Sequence, residues 1–139
     1  MTADLISHEP RVLIVEDESL IAEELRDRLS RLGFSVIATV DSAEEGIALA
    51  TQNRPDLILM DIRLKGEKDG VQAANEIRQQ VDVPIVYLTA YSDLLTVDRV
   101  RASEHDGYIL KPFHARELQS TIDVAMKRHA LRAKQENNR

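Results

Sequence analysis

The sequence contains no cysteine. Disulfides and thiolate metal sites are therefore excluded, and a reducing compartment suits the chain. No apolar run is longer than a strand, so the sequence offers no membrane span. The first ten residues carry Asp4 and Glu9 and lack a basic leader followed by a long apolar stretch, so they do not read as a signal peptide. A basic surplus is missing as well. The formal net charge of −6 opposes general binding to nucleic acid. No repeat and no low-complexity block is found. What is present is ordinary for a globular protein: 139 residues, 43% apolar and 30% charged, enough for one domain with one core.

The stretch that organises the rest is Leu57-Ile58-Leu59-Met60-Asp61. Its apolar run does not alternate, which is how a strand covered on both faces reads. Pro55 and Asp56 mark a turn before it, favouring a strand over a helical turn. Residues 1–10 read as an N-terminal arm, 11–127 as the folded unit and 128–139 as a basic helical extension. A first strand, Arg11 to Val15, ends at Glu16-Asp17-Glu18. Ser19 is placed to cap the helix that follows, with Ile21, Leu25, Leu29 and Leu32 as its buried stripe and Gly33 as its stop. Phe34 to Thr39 is the second strand. Ser42 with Glu45 makes a capping-box pattern for the second helix. A third helix starts near Gly70, using Val71, Ala74, Ile77 and Val81. The fourth strand, Ile85 to Leu88, closes on Thr89-Ala90-Tyr91, and a fourth helix covers about residues 94–104. Tyr108-Ile109-Leu110 is the fifth strand. The last helix starts near His114, with Leu118, Ile122, Ala125 and Met126 inside. His114 and His129 read as surface residues. Alternating strands and helices mean right-handed crossovers, hence an α/β fold with a five-stranded parallel sheet and helices on both faces. The pattern alone does not give the strand order.

In such a sheet all carboxyl ends share one edge. Glu16 and Asp17 follow the first strand, Asp61 ends the third, and Thr89 and Lys111 close the fourth and fifth. Each has a plain explanation when taken singly, as a turn former, a cap or a solvated charge. Three carboxylates together repel one another and call for a cation. Oxygen-only ligation suits a hard divalent ion, and Mg²⁺ fits best because it uses few carboxylates and is completed by water and phosphate. Metal, ammonium and hydroxyl are the usual clamps for a phosphoryl group. A carboxylate can itself be phosphorylated, and Asp61 on the central strand is the candidate.

Val-Glu-Asp-Glu at 15–18, Leu-Met-Asp-Ile at 59–62, Tyr-Leu-Thr-Ala at 87–90 and Tyr-Ile-Leu-Lys-Pro-Phe at 108–113 resemble the bacterial response-regulator receiver domain of two-component signalling, chemotaxis regulators included. The resemblance covers residues 11–127. It implies a flavodoxin-like, doubly wound sheet in the order 2-1-3-4-5, with its switch point between strands one and three. It implies that Asp61 accepts phosphate from a histidine kinase or a histidine phosphotransfer protein in a phosphorelay. Asp17 would bind Mg²⁺ directly and Glu16 largely through water, joined by Asp61 and the backbone carbonyl of Arg63. Thr89, Ala90 and Lys111 would surround the phosphoryl oxygens, and the Lys111–Pro112 bond would be cis. Thr89 would move toward the phosphoryl group and Tyr108 would turn inward, altering the surface of helix four, strand five and helix five. That surface would serve a downstream protein or a homodimer. The resemblance further implies a cytoplasmic phosphoprotein acting as a phosphoacceptor and not a turnover enzyme, without direct contact to membrane or nucleic acid and without a DNA-binding output domain.

Two features depart from the family pattern. The loop Leu64-Lys65-Gly66-Glu67-Lys68-Asp69 lacks the usual proline and is one residue longer, and Glu16 stands where Asp is more frequent. Three rival readings compete. A haloacid-dehalogenase-type phosphatase resembles this pattern but needs an acid two positions after the nucleophile, where Arg63 stands and cannot give up a proton. A receiver-like module that never takes phosphate does not need the full set of five residues. A DNA-binding regulator needs a further domain.

Overall fold

The structure is a computed structural model that describes residues 9–93 and 106–137. Five strands are formed: β1 (Arg11–Val15), β2 (Ser35–Val40), β3 (Leu57–Asp61), β4 (Ile85–Ala90) and β5 (Gly107–Lys111). They make one parallel sheet in the order β2-β1-β3-β4-β5. The helices among the described residues are α1 (Ser19–Arg31), α2 (Ala43–Asn53), α3 (Gly70–Gln80) and α4 (Ala115–Asn137), with a short 3₁₀ turn at Tyr91–Asp93. The helix expected over residues 94–104 lies outside the described residues. None of the helices described is long and apolar enough to cross a membrane.

The non-alternating strands are covered on both sides, as their composition requires. Leu13, Val15, Ile58, Met60, Ile85 and Tyr87 project to one face, where they meet Ala43 and Ala50 of α2 and Ala73, Ala74 and Ile77 of α3. Val12, Ile14, Leu57, Leu59, Val86, Leu88 and Ile109 project to the other, against Leu25 and Leu29 of α1 and Leu118, Ile122 and Ala125 of α4. All five residues of β3 are buried, Asp61 included.

The ends of the helices show where local signals hold and where they do not. Ser42 caps α2, its side chain accepting the Glu45 N–H at 3.2 Å. Ser19 does not cap α1. It is the first helical residue, and Glu18 occupies the cap position without a side-chain cap bond. The reason lies in the neighbouring site, because the Glu16 carboxylate accepts the Glu18 N–H at 3.1 Å and sets that turn itself. The second strand runs one residue further than expected, since the Val40 carbonyl receives the Glu16 N–H at 2.9 Å.

The longer loop after β3 is anchored at both ends. Leu64 is buried in the core, and Asp69 forms a full capping box with Gln72 at the start of α3. Between them Lys68 grips both Glu76 oxygens at 2.9 and 2.8 Å. Gly70 lets α3 begin against the strand. A Cβ there would sit 1.9 Å from the Asp61 carbonyl oxygen.

The basic end of the chain is helical through Asn137. It is less solvated than its charge suggests. His129 is half-buried, with Nε2 3.4 Å from Asp82 Oδ1, and Arg132 is ion-paired to the buried Asp106. His114 is exposed.

Candidate functional site

Strand register brings the polar residues to one level of the carboxyl edge. Val15 of β1 pairs with Met60 of β3, so Glu16 and Asp61 leave the sheet side by side. Asp61 pairs with Leu88 and Ala90 with Lys111, which places Thr89 and Lys111 just beyond Asp61 on the next two strands. Lys111 is the hub. Its Nζ lies 3.0 Å from Asp61 Oδ2 and 2.8 Å from Glu16 Oε1. The other Asp61 oxygen, Oδ1, accepts the Arg63 N–H at 2.9 Å. The Lys111–Pro112 peptide bond is cis.

The charges around Lys111 do not balance. Glu16 is almost wholly buried, at 2% exposure. Its Oε2 receives the Glu18 N–H, while Oε1 faces the Lys111 ammonium at 2.8 Å and meets no other donor among the described residues. Burial first, and then the neighbouring Asp61 carboxylate, push the Glu16 carboxyl up to about 7 against the lowering effect of Lys111. Burial pulls the Lys111 ammonium down, but the Glu16 and Asp61 carboxylates outweigh it and its pKa ends above the ordinary lysine value. One ammonium is shared by two buried acids, and Asp17 and Glu18 stand beside them. Glu16, Asp17 and Glu18 can each bring an oxygen to within 4.8 Å of the others. Asp17 also accepts the Lys65 N–H at 3.2 Å, which draws the long loop over the edge.

Asp17, Glu18 and Asp61 open onto a cavity of about 530 Å³, lined also by Arg63, Ala90, Asp93 and Lys111. Carboxylates gathered this closely, offering oxygen as their only ligand atom, suit a hard divalent cation. The candidate holders are Glu16, Asp17 and Asp61, with the backbone carbonyl of Arg63 two residues after Asp61.

Thr89 is buried at the end of β4, and its hydroxyl donates to its neighbour's carbonyl, Ala90 O, at 3.2 Å. It stands at the site's level, with its hydroxyl turned to its own strand. Tyr108 lies further off. It is half-buried on β5, pairs with Tyr87 across the strands and packs against the α2–α3 side of the core. It also borders a groove of about 430 Å³ with Ser120, Thr121, Val124 and Arg128.

Sequence reasoning passed over three residues here. Glu18 completes the acidic group and was visible as the third acid in a row. Asp93, 8% exposed, holds the Arg63 guanidinium, Nε at 2.9 Å and Nη2 at 2.8 Å from the same oxygen. Gly70 touches the Asp61 carbonyl, and nothing in the local sequence announces that contact.

Residues 12–123 match the response regulator receiver domain. The chain is similar to the transcriptional regulatory protein PdtaR of Mycobacterium tuberculosis, with 37% identity over 118 residues, 85% of this chain and 57% of that protein. It is also similar to the probable transcriptional regulator ycf27 of Cyanidium caldarium, 40% identical over 119 residues, 84% of this chain and 46% of that protein. The chain thus spans about half the length of the curated relatives it matches. Among solved structures, the signal receiver domain of a modulated diguanylate cyclase from Desulfovibrio desulfuricans superposes with a TM-score of 0.83 at 37% identity, covering 90% of this chain and 99% of that one. The N-terminal domain of a response regulator/sensory box/GGDEF 3-domain protein from Carboxydothermus hydrogenoformans gives 0.80 at 31% identity, covering 88% and 98%.

Proposed function

This chain belongs to the response regulator receiver domain family of two-component signalling, and from that premise we propose that Asp61 is its phosphoacceptor. The donor is a phosphohistidine on a histidine kinase or phosphotransfer protein. A carboxylate oxygen of Asp61 forms the new P–O bond as the donor's P–N bond breaks and the imidazole departs with the bonding pair. The observation that carries this reading is the Lys111 ammonium held between the Asp61 and Glu16 carboxylates at the carboxyl edge of the sheet.

Glu16, Asp17, Asp61 and the Arg63 carbonyl are the residues that would hold Mg²⁺. When bound, the ion neutralises the acids and offsets the charge of an arriving phosphoryl group. Lys111 keeps its proton throughout and meets a phosphoryl oxygen from the far side of the pocket. Ala90, small and at the cavity wall, leaves room for the group to enter. Thr89 exchanges its bond to Ala90 O for a phosphoryl oxygen. Tyr108 then moves into the space vacated, changing the groove between β5 and α4. Phosphorylation replaces one negative charge by nearly two, so the response is a population shift driven by local electrostatics.

In this reading the chain is a cytoplasmic phosphoprotein that acts as a switch, not a turnover enzyme. It signals through contact with a downstream protein or a second copy of itself at the altered surface. Residues 128–137 serve as a helical extension of the receiver unit.

Incubation with acetyl phosphate and Mg²⁺ tests the proposal. Intact mass should show one phosphoryl group on the wild-type chain and none on Asp61→Ala. Multiple-turnover hydrolysis of phosphomonoesters, or a label that survives in Asp61→Ala, would overturn it.

A further inference from the structure

Arg63 and Asp93, ion-paired to each other, both line the same cavity. Its geometry is lopsided. Both guanidinium contacts, Nε at 2.9 Å and Nη2 at 2.8 Å, fall on a single carboxylate oxygen of Asp93. A planar guanidinium binds best when its two N–H groups meet two separate oxygens. Asp93 is nearly buried, whereas the Arg63 side chain is 75% exposed. The root of that side chain is fixed beside the acceptor, because the Arg63 N–H donates to Asp61 Oδ1 at 2.9 Å. Arg63, Asp93, Asp61 and Lys111 line one cavity.

We propose that Arg63 is a positioning residue for the phosphoryl group on Asp61, held aside by Asp93 until that group arrives and then transferred to its oxygens. This rests on the phosphoacceptor reading above. A phosphoryl group offers three oxygens and close to two negative charges where Asp93 offers one oxygen and one charge. The exchange improves the geometry as well as the attraction. It leaves Asp93 a nearly buried carboxylate without its cation, which is costly, so the Tyr91–Asp93 turn must rearrange to let water reach it. Phosphoryl binding and the position of this turn, at the end of β4, are thereby coupled. By reciprocity anything that displaces the turn alters the hold on the phosphoryl group.

The test is a double-mutant cycle on affinity for beryllofluoride in the presence of Mg²⁺, measured by calorimetry. Freeing Arg63 with Asp93→Asn should tighten binding by about threefold or more, and Arg63→Met should weaken it by a similar factor. In the Arg63→Met background Asp93→Asn should have no further effect. In the wild-type chain, the Arg63 Nε–Hε signal in NMR should shift when beryllofluoride saturates the site, a readout that needs no variant. An equal effect of Asp93→Asn in both backgrounds, or an unmoved Arg63 signal, overturns the partner exchange. Failure of the wild-type chain to bind beryllofluoride at all overturns the phosphoacceptor reading and this inference with it.

Discussion

The two edges of the sheet each bury a carboxylate beside cationic side chains, and they treat it differently. At the amino edge Asp106 is 3% exposed and both its oxygens are engaged. Oδ2 accepts the Ile85 N–H at 2.9 Å, Oδ1 is paired with the Arg132 guanidinium, and Arg78 Nη2 stands 4.0 Å away. What is left over there is a donor, since Arg78 Nη2 has no hydrogen-bond partner. At the carboxyl edge Glu16 is buried to the same degree, yet its Oε1 rests on one ammonium that Asp61 also claims. A satisfied buried acid closes a structure. One that, among the described residues, shares a single ammonium with a second acid is poised for an incoming cation. Burial alone does not separate these two cases, and the balance of cations to acids does: two arginines on one acid against one lysine between two.

The largest expected effect falls on the closed edge. Asp106→Ala should cost about 3–5 kcal/mol in urea unfolding, because it strands Arg132, Arg78 and the Ile85 N–H together. A loss below about 1 kcal/mol would erase the contrast between the edges. Next comes Gly70→Ala, in which the new Cβ meets the Asp61 carbonyl and forces α3 away from β3. It should cost about 2–3 kcal/mol and perturb amide shifts around Asp61 and Arg63, as overpacking against backbone does. A neutral result would show that the approach of helix to strand is not needed.

At the open edge the sign reverses. Without divalent cation at pH 8, Glu16→Gln should stabilise the chain by about 1–2 kcal/mol, since the wild-type carboxylate is ionised where burial and Asp61 oppose its charge. The pH profile sharpens this. The Glu16 carboxyl titrates near 7 in the folded chain against an ordinary 4.5, so the folded state holds that proton more tightly than the unfolded state does. Its contribution is therefore fully present below pH 4.5 and is lost as pH rises through about 7. The cation-free melting temperature should fall by a few degrees between pH 5 and 8, and Glu16→Gln should flatten that slope. A slope of opposite sign, or one unchanged in the variant, would contradict the assignment to Glu16.

Much of this was legible in the chain because the fold is written in buried runs. Leu57 to Met60 reads as a strand covered on both faces, and the direction shared by parallel strands brings Glu16, Asp61 and Lys111 to one edge. The order β2-β1-β3-β4-β5 was not in the hydrophobic pattern, which is silent about neighbours, and came through family resemblance. Ser19 misled because cap preference is a local signal, while the turn before α1 is held by Glu16 through a demand of the site. Asp106 and Asp93 gave no sign at all. Their partners Arg132 and Arg63 are 26 and 30 residues away, and an acid in a loop reads as solvated until the fold closes over it. Gly70 was read as the start of a helix and its steric role was invisible, for the carbonyl it accommodates belongs to another element.

The most direct measurement is a Mg²⁺ titration of thermal stability for the wild-type chain, Asp17→Asn and Asp106→Asn. The account predicts that Mg²⁺ raises the melting temperature of the wild-type chain, that Asp106→Asn starts lower but keeps the full rise, and that Asp17→Asn loses most of it. A wild-type chain indifferent to Mg²⁺, or an Asp17→Asn variant that gains as much as the wild type, would contradict it.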